Sequence, residues 1–165
     1  GEASGWYNLG YRPVYEEVKL GYLITSNNMN PNKGRIIELP KIVDPRGNLT
    51  VAEQMKNIPF NIERVYWTYD IPGGERRGGH AHRTGEEIII AVSGSFDVEI
   101  FDGKEKQTYH LNHPYQGLYV GTDVWRTLED FASGSVCLVL ASELFDEQEY
   151  IYDYDEFLER VGCTK

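Results

Sequence analysis

Between Ile62 and Ser142 the chain is a succession of short apolar or alternating runs, each broken by a turn signal. This spacing restricts the fold more than any other feature. IERVYWTYDI (Ile62–Ile71) is rich in β-branched and aromatic residues, as strands are. Glu87–Val92 is a short apolar run suited to a strand buried on both faces. Phe96, Val98 and Ile100 alternate with Asp97 and Glu99, the period of a half-buried strand, and Asp102-Gly103 follows as a hairpin signal. QTYHL, GLYVG, VWRTL and SVCLVLAS supply further strands. Upstream, RIIELPKIV reads as a strand interrupted by Pro40, DPRGN (Asp44–Asn48) as a turn and NLTVAEQ as the next strand. Only Asp153–Val161 reads as helix, with Gly162 as its stop. The expected fold is all-β, a sandwich or barrel, and among these a jelly roll encloses a pocket between its sheets.

Residues 1–33 differ from the rest, being rich in Gly, Tyr and Asn, and SNNMNPNKG (Ser26–Gly34) reads as a loop. They are expected to form an N-terminal extension, with Tyr22-Leu23-Ile24 able to dock on the body. The 165 residues suffice for one domain with a real core. The formal net charge of -10 argues against nucleic acid bound on a broad basic surface. An anionic small ligand is still compatible, because Arg46, Arg76, Arg77, Arg83 and Arg126 could converge on a phosphate. Of the two cysteines, Cys137 sits in an apolar run and reads as a buried thiol, so a disulfide framework is not expected. No segment has the pattern of a membrane span or of a secretory core, and a cytoplasmic location is the expectation.

The chemistry concentrates in GERRGGHAHRTGEEIIIAVSG (Gly74–Gly94). On a strand, His80 and His82 would point the same way and enter one pocket. Two imidazoles on one wall suit proton transfer. With Glu87 they would equally suit a metal ion. A histidine pair on a strand is in itself a weak signal, also met on polar outer faces. His110 and His113 read as exposed and inert, and Arg76 as a solvated charge.

Gly74, five residues, His80-Ala81-His82, four residues, Glu87, six residues, Gly94 resembles the first motif of the cupin superfamily. DPRGNL, NIPFNIERVYW, RGGHAHR, AVSGSFDV, GLYVGTDVWR and the closing DYDEF together resemble the nucleotide-sugar 3,4-ketoisomerases, the WxcM-like cupins that isomerise dTDP-4-keto-6-deoxyglucose. The resemblance runs from about Ile36 to Phe157 in the right order. It implies a cupin jelly roll (double-stranded β-helix) over 34–162 with a short C-terminal helix, a dTDP-linked keto sugar as substrate, no cofactor, and a homodimer.

By the same resemblance His80 is the base or acid at the sugar ring and His82 its partner and shuttle. Tyr66 contributes a phenol from across the pocket. Arg77 stabilises enediolate charge or binds pyrophosphate, Arg46 and Arg126 are further phosphate or pocket residues, and Trp125 helps form the sugar cavity. The bland readings stand beside these: Tyr66 and Trp125 as core aromatics, Arg46 as a turn residue paired with Asp44. Many cupins bind a metal through two histidines and a glutamate here plus a histidine from a second motif. That later place holds Arg126 or its neighbours, and a guanidinium cannot be a ligand. The resembled isomerases carry Gln where this chain has Glu87, so a three-ligand site of His80, His82 and Glu87 stays open. Alternatives are thus a metal-dependent cupin, a 3,5-epimerase, whose motif has a single histidine, and a non-catalytic sugar-binding cupin.

Overall fold

The computed structural model describes residues 29–163. Two five-stranded antiparallel sheets face each other. The first runs β1 (Gly34–Glu38), β9 (Gln116–Val120), β6 (Glu87–Ser93), β11 (Val136–Ala141), β4 (Arg64–Thr68). The second runs β12 (Tyr150–Ile151), β5 (Arg77–His82), β10 (Trp125–Glu129), β7 (Phe96–Phe101), β8 (Lys106–Leu111). A small ribbon of β2 (Lys41–Ile42) and β3 (Leu49–Thr50) lies apart, and α1 (Tyr154–Arg160) ends the fold. This is the expected all-β cupin jelly roll with its short C-terminal helix.

The alternation read in the sequence sorts residues between the sheets. Phe96, Val98 and Ile100 of β7 point inward with Leu128, Leu118, Val120 and Val139 to form the core. β6 is buried on both faces, as its unbroken apolar run requires. Ile89 and Ala91 join that core, while Ile88 and Ile90 pack outward under Leu39, Ile58 and Phe60. On the second sheet Ala81 points outward beneath α1, where it meets Ile151 and Phe157. Asp153 caps α1, its side chain accepting from the Glu156 N–H.

Pro40 separates β1 from β2, and Asp102-Gly103 turns β7 into β8, with Asp102 Oδ1 accepting from the Lys104 and Glu105 N–H groups. NLTVAEQ gives only two strand residues, Leu49 and Thr50. The reason is Asn57, whose side chain takes the Glu53 N–H and donates to the Val51 carbonyl, so the backbone turns away from a ladder. Met29 is buried between the sheets and Lys33 Nζ donates to the Thr122 carbonyl at 2.7 Å, so the packed body begins before Gly34. Tyr22-Leu23-Ile24 lies outside the described residues.

β5 enters the second sheet irregularly, with a register shift against β10 between Arg126 and Thr127. Gly78 makes this possible: its φ is +79° and a Cβ there would sit 2.7 Å from the Arg126 carbonyl oxygen. Gly78→Ala is therefore expected to lower stability by about 2–3 kcal/mol, through strain and a backbone clash together. Thermal unfolding of the variant checks this, and an unchanged midpoint would contradict it.

Candidate active site

The functional side chains meet in the space between the sheets. From the first sheet come Arg64 and Tyr66 of β4 and Glu87, the first residue of β6. From the second come His80 and His82 of β5, Arg126 of β10 and Tyr150 of β12. Strand register brings them together: Arg126 lies opposite His80, and Tyr150 opposite His82. The i, i+2 spacing does the rest, giving Arg64 and Tyr66 one face and His80 and His82 another.

Glu87 is the hub. Tyr66 donates its hydroxyl to Glu87 Oε1 at 2.7 Å. His82 Nε2 stands 3.3 Å from the same oxygen, without the geometry of a good hydrogen bond. Arg126 Nη2 is 3.8 Å from Oε2. Burial alone would push the Glu87 carboxyl up, but Arg126, His82 and the Tyr66 hydrogen bond outweigh it, and the group stays well below the usual carboxylate range. Tyr66 moves the other way. Burial first, then the adjacent Glu87 charge, raise its phenol far above the ordinary value, so it keeps its proton.

Both histidines are held neutral. Burial, then the Arg126 charge, lowers His80 to about 3. Burial also lowers His82, opposed by Glu87 and aided by Arg126 and Arg64. The two rings meet edge to face, with centroids 5.1 Å apart, and Tyr150 lies against both, at 5.0 and 4.4 Å. Arg126 is 1% exposed, yet among the described residues none of its guanidinium nitrogens has a hydrogen-bond partner, and His80 Nε2 is likewise buried and unpartnered there. A buried cation with unspent donors beside neutral imidazoles is an arrangement for stabilising a negative charge that forms during reaction.

His80, His82 and Glu87 could also surround a metal, since one ligand atom from each lies within 4.8 Å of the others. The donor set suits a divalent ion, but Arg126 is charged, buried and already set against Glu87, and would repel one.

The structure brings His80, His82, Tyr66 and Arg126 together. It places Trp125 elsewhere. Strand alternation puts it on the face of β10 opposite Arg126, packed under α1 against Tyr154 and Phe157, with ring centroids at 4.9 and 5.5 Å. Arg46 is also apart from the group. It is exposed, and its guanidinium forks onto Asp44, two residues away, with contacts of 2.9 and 2.8 Å. Its side-chain and backbone hydrogen bonds, and less so its charge, pull the Asp44 carboxyl down to about 2. Arg77 is exposed at the start of β5, three residues before His80. Arg76 pairs with Glu129 on the surface, and His110 pairs with Asp97. His113, expected to be exposed, is half-buried and stacked on Tyr115 at 4.9 Å.

Sequence reasoning missed Glu87 as the hub, Arg64 and Tyr150. Arg64 Nη2 donates to the Tyr150 hydroxyl at 2.9 Å, and Arg64 also lies over the Tyr66 ring. Arg64 carried a signal, two residues before Tyr66 on the same strand. Tyr150 carried only the alternating Tyr150, Tyr152, Tyr154 run, which does not say which strand it joins.

A cupin fold with an acid–base cluster between its sheets defines the class. The FdtA (WxcM-like, C-terminal) family model matches residues 32–162. TDP-4-oxo-6-deoxy-α-D-glucose-3,4-oxoisomerase of Aneurinibacillus thermoaerophilus is 45% identical over 130 residues, which is 79% of this chain and 94% of the relative. A 3,4-ketoisomerase from Helicobacter canadensis superposes with a TM-score of 0.76 at 40% identity, covering 78% of this chain and 97% of the other. A variant of the 3,4-ketoisomerase QdtA from Thermoanaerobacterium thermosaccharolyticum, in complex with TDP-4-keto-6-deoxyglucose, superposes at 0.78 with 37% identity, covering 81% and 96%. The chain belongs to the FdtA family of WxcM-like cupins.

The neutral histidines have a consequence for stability. In the unfolded chain they take up protons near pH 6.5, while His80 in the folded protein does so only near 3. Their contribution is fully present above about pH 6.5 and is lost as pH falls toward the folded value. For His80 this should cost roughly 1 kcal/mol per pH unit between pH 6.5 and 5, and the lowered His82 adds in the same direction. Unfolding followed across that range should show this decline, and His80→Asn should flatten it. A wild-type profile that is level from pH 7 to 5 would contradict the neutral assignment.

Proposed function

We infer that the protein is a 3,4-ketoisomerase, interconverting the 4-keto and 3-keto forms of a dTDP-linked 6-deoxyhexose. The observation that carries the chemistry is the juxtaposition of neutral His80 and His82 with buried Arg126, whose donors are unspent. Family membership and the ligand of the related QdtA supply the substrate class.

The steps balance as proton transfers. His80 takes the proton from C3, leaving an enediolate across C3 and C4. The O3 hydroxyl proton moves to O4, and C4 receives a proton, so that the carbonyl ends at C3. Arg126 donates to the enediolate oxygen. Before reaction its charge holds His80 neutral. As enediolate charge develops, it offsets the Arg126 charge and raises the affinity of the imidazole for the C3 proton. Tyr66 is committed to Glu87 and fixes that carboxylate, which in turn orients His82. Arg77, exposed at the start of β5, is available to the pyrophosphate.

His80→Asn should lower turnover by about two to four orders of magnitude while leaving the thermal transition in place. NMR of the dTDP-4-keto-6-deoxyglucose reaction measures it. Loss of folding together with activity would instead make His80 structural. Dialysis against a chelator should leave activity unchanged, because a divalent ion on His80 and His82 would withdraw both from proton transfer. A stoichiometric metal removed along with activity would favour the metal-dependent reading.

We also infer a homodimer. β4 is an edge of the first sheet, and its outer face exposes Val65 and Trp67, followed by Tyr69, at 47, 58 and 60%. A second copy related by a two-fold axis would cover both the edge and these side chains. Sedimentation should give twice the chain mass, and Trp67→Asp should shift it toward the monomer. A monomeric wild type at micromolar concentration would count against it.

A further inference from the structure

A cleft of about 610 Å³ opens beside the site on the side of Thr84, Ser142 and Glu149. Five carboxylates line it, those of Glu63, Glu86, Glu143, Asp146 and Glu149, with no lysine or arginine. Such a wall repels a pyrophosphate, so this is not where a nucleotide sugar enters. Between the cleft and the catalytic cluster lies a void of about 10 Å³, shared by His82, Gly85, Glu143 and Glu149 with Arg64 and Tyr150. That is about the room of a single water. His82, 4% exposed, reaches the void from the inside. Its Nε2 faces Glu87, and its Nδ1 lies 3.5 Å from where a Cβ on Gly85 would be. From the outside Glu143 reaches the same point, its Cγ 3.6 Å from that position.

We propose that His82 exchanges protons with solvent through this void, by way of one water beside Gly85 and the Glu143 carboxylate. It rests on the isomerase reading above. A proton taken up at Nε2 is matched by one released from Nδ1 to the water, and from the water to Glu143 and bulk solvent. The reverse passage restores the ring, so nothing is consumed. Of the carboxylates around the void, Glu87 is held by Tyr66, and Glu86 accepts the Tyr119 hydroxyl. Glu149 accepts from the Thr84 backbone and hydroxyl, which keep it ionised. Among the described residues Glu143 alone of these four makes no hydrogen bond or ion pair. Arg64 and Arg126 disfavour a charge resident on His82, so a proton arriving there is passed on.

Gly85→Ala tests the route directly. The φ of Gly85 lies outside the left-handed region, and the added methyl would make only ordinary contacts, so the variant should fold while the methyl takes the room of the water. Isomerisation of dTDP-4-keto-6-deoxyglucose is run in deuterated water, and deuterium per product molecule is read by NMR. Gly85→Ala should lower that ratio at least threefold with KM changed less than twofold. Glu143→Gln, at an exposed position, should lower it two- to fivefold with an unchanged thermal midpoint, and added formate should restore it. If both variants match the wild type in deuterium content, the route is overturned, and Glu143→Gln decides if Gly85→Ala does not fold. A wild type that isomerises without taking up deuterium also overturns it. A wild type that does not isomerise at all overturns the functional reading instead.

Discussion

A single buried carboxylate joins the two sheets. Glu87 starts β6 in one sheet, yet its oxygens face Tyr66 from the same sheet and His82 and Arg126 from the other. Removing a carboxylate from water costs several kcal/mol unless partners replace the hydration. Here a phenol and a guanidinium do so. Burial, the larger influence, keeps both imidazoles neutral and the Tyr66 phenol protonated, and the charges of Arg126 and Glu87 respectively add to it.

The pair is asymmetric in what it leaves unspent. Glu87 is contacted on both oxygens, whereas Arg126 retains donors with no partner among the described residues. A purely structural ion pair would pair both forks, since unsatisfied buried donors are costly. The imbalance points outward from the pair toward a ligand with its own negative charge. This separates the cluster from a packed interior that merely contains polar residues.

Much of the fold was legible because strand periodicity is local. Phe96, Val98 and Ile100 announced their inward face, and the apolar run after Glu87 announced burial on both sides. The same periodicity explains the misplaced residue: Trp125 adjoins Arg126 in sequence, and adjacency on a strand means opposite faces. The three-residue separation of Arg77 from His80 is no guide at all, because left-handed glycines at 78 and 79 break the period. Arg46 satisfied itself within its own turn, an option open to any arginine two residues from an aspartate. Tyr150 was hidden for a different reason. Its role depends on β12 pairing with β5, a contact between residues far apart in the chain that no local pattern encodes.

β6 is covered on one side by the core and on the other by Ile58, Phe60 and Leu39. Its neighbours β9 and β11 take up its backbone groups on both edges. Amide protons along Ile88–Ile90 therefore exchange with solvent only when the domain as a whole opens. β12, two residues long and paired on one side, exchanges through much cheaper local opening. The cluster thus has one wall, carrying Glu87, paired on both edges, and another, carrying Tyr150, paired on one edge and anchored by buried Ile151. A perturbation that frays the second wall frees the imidazoles from their aromatic cover while the carboxylate stays fixed.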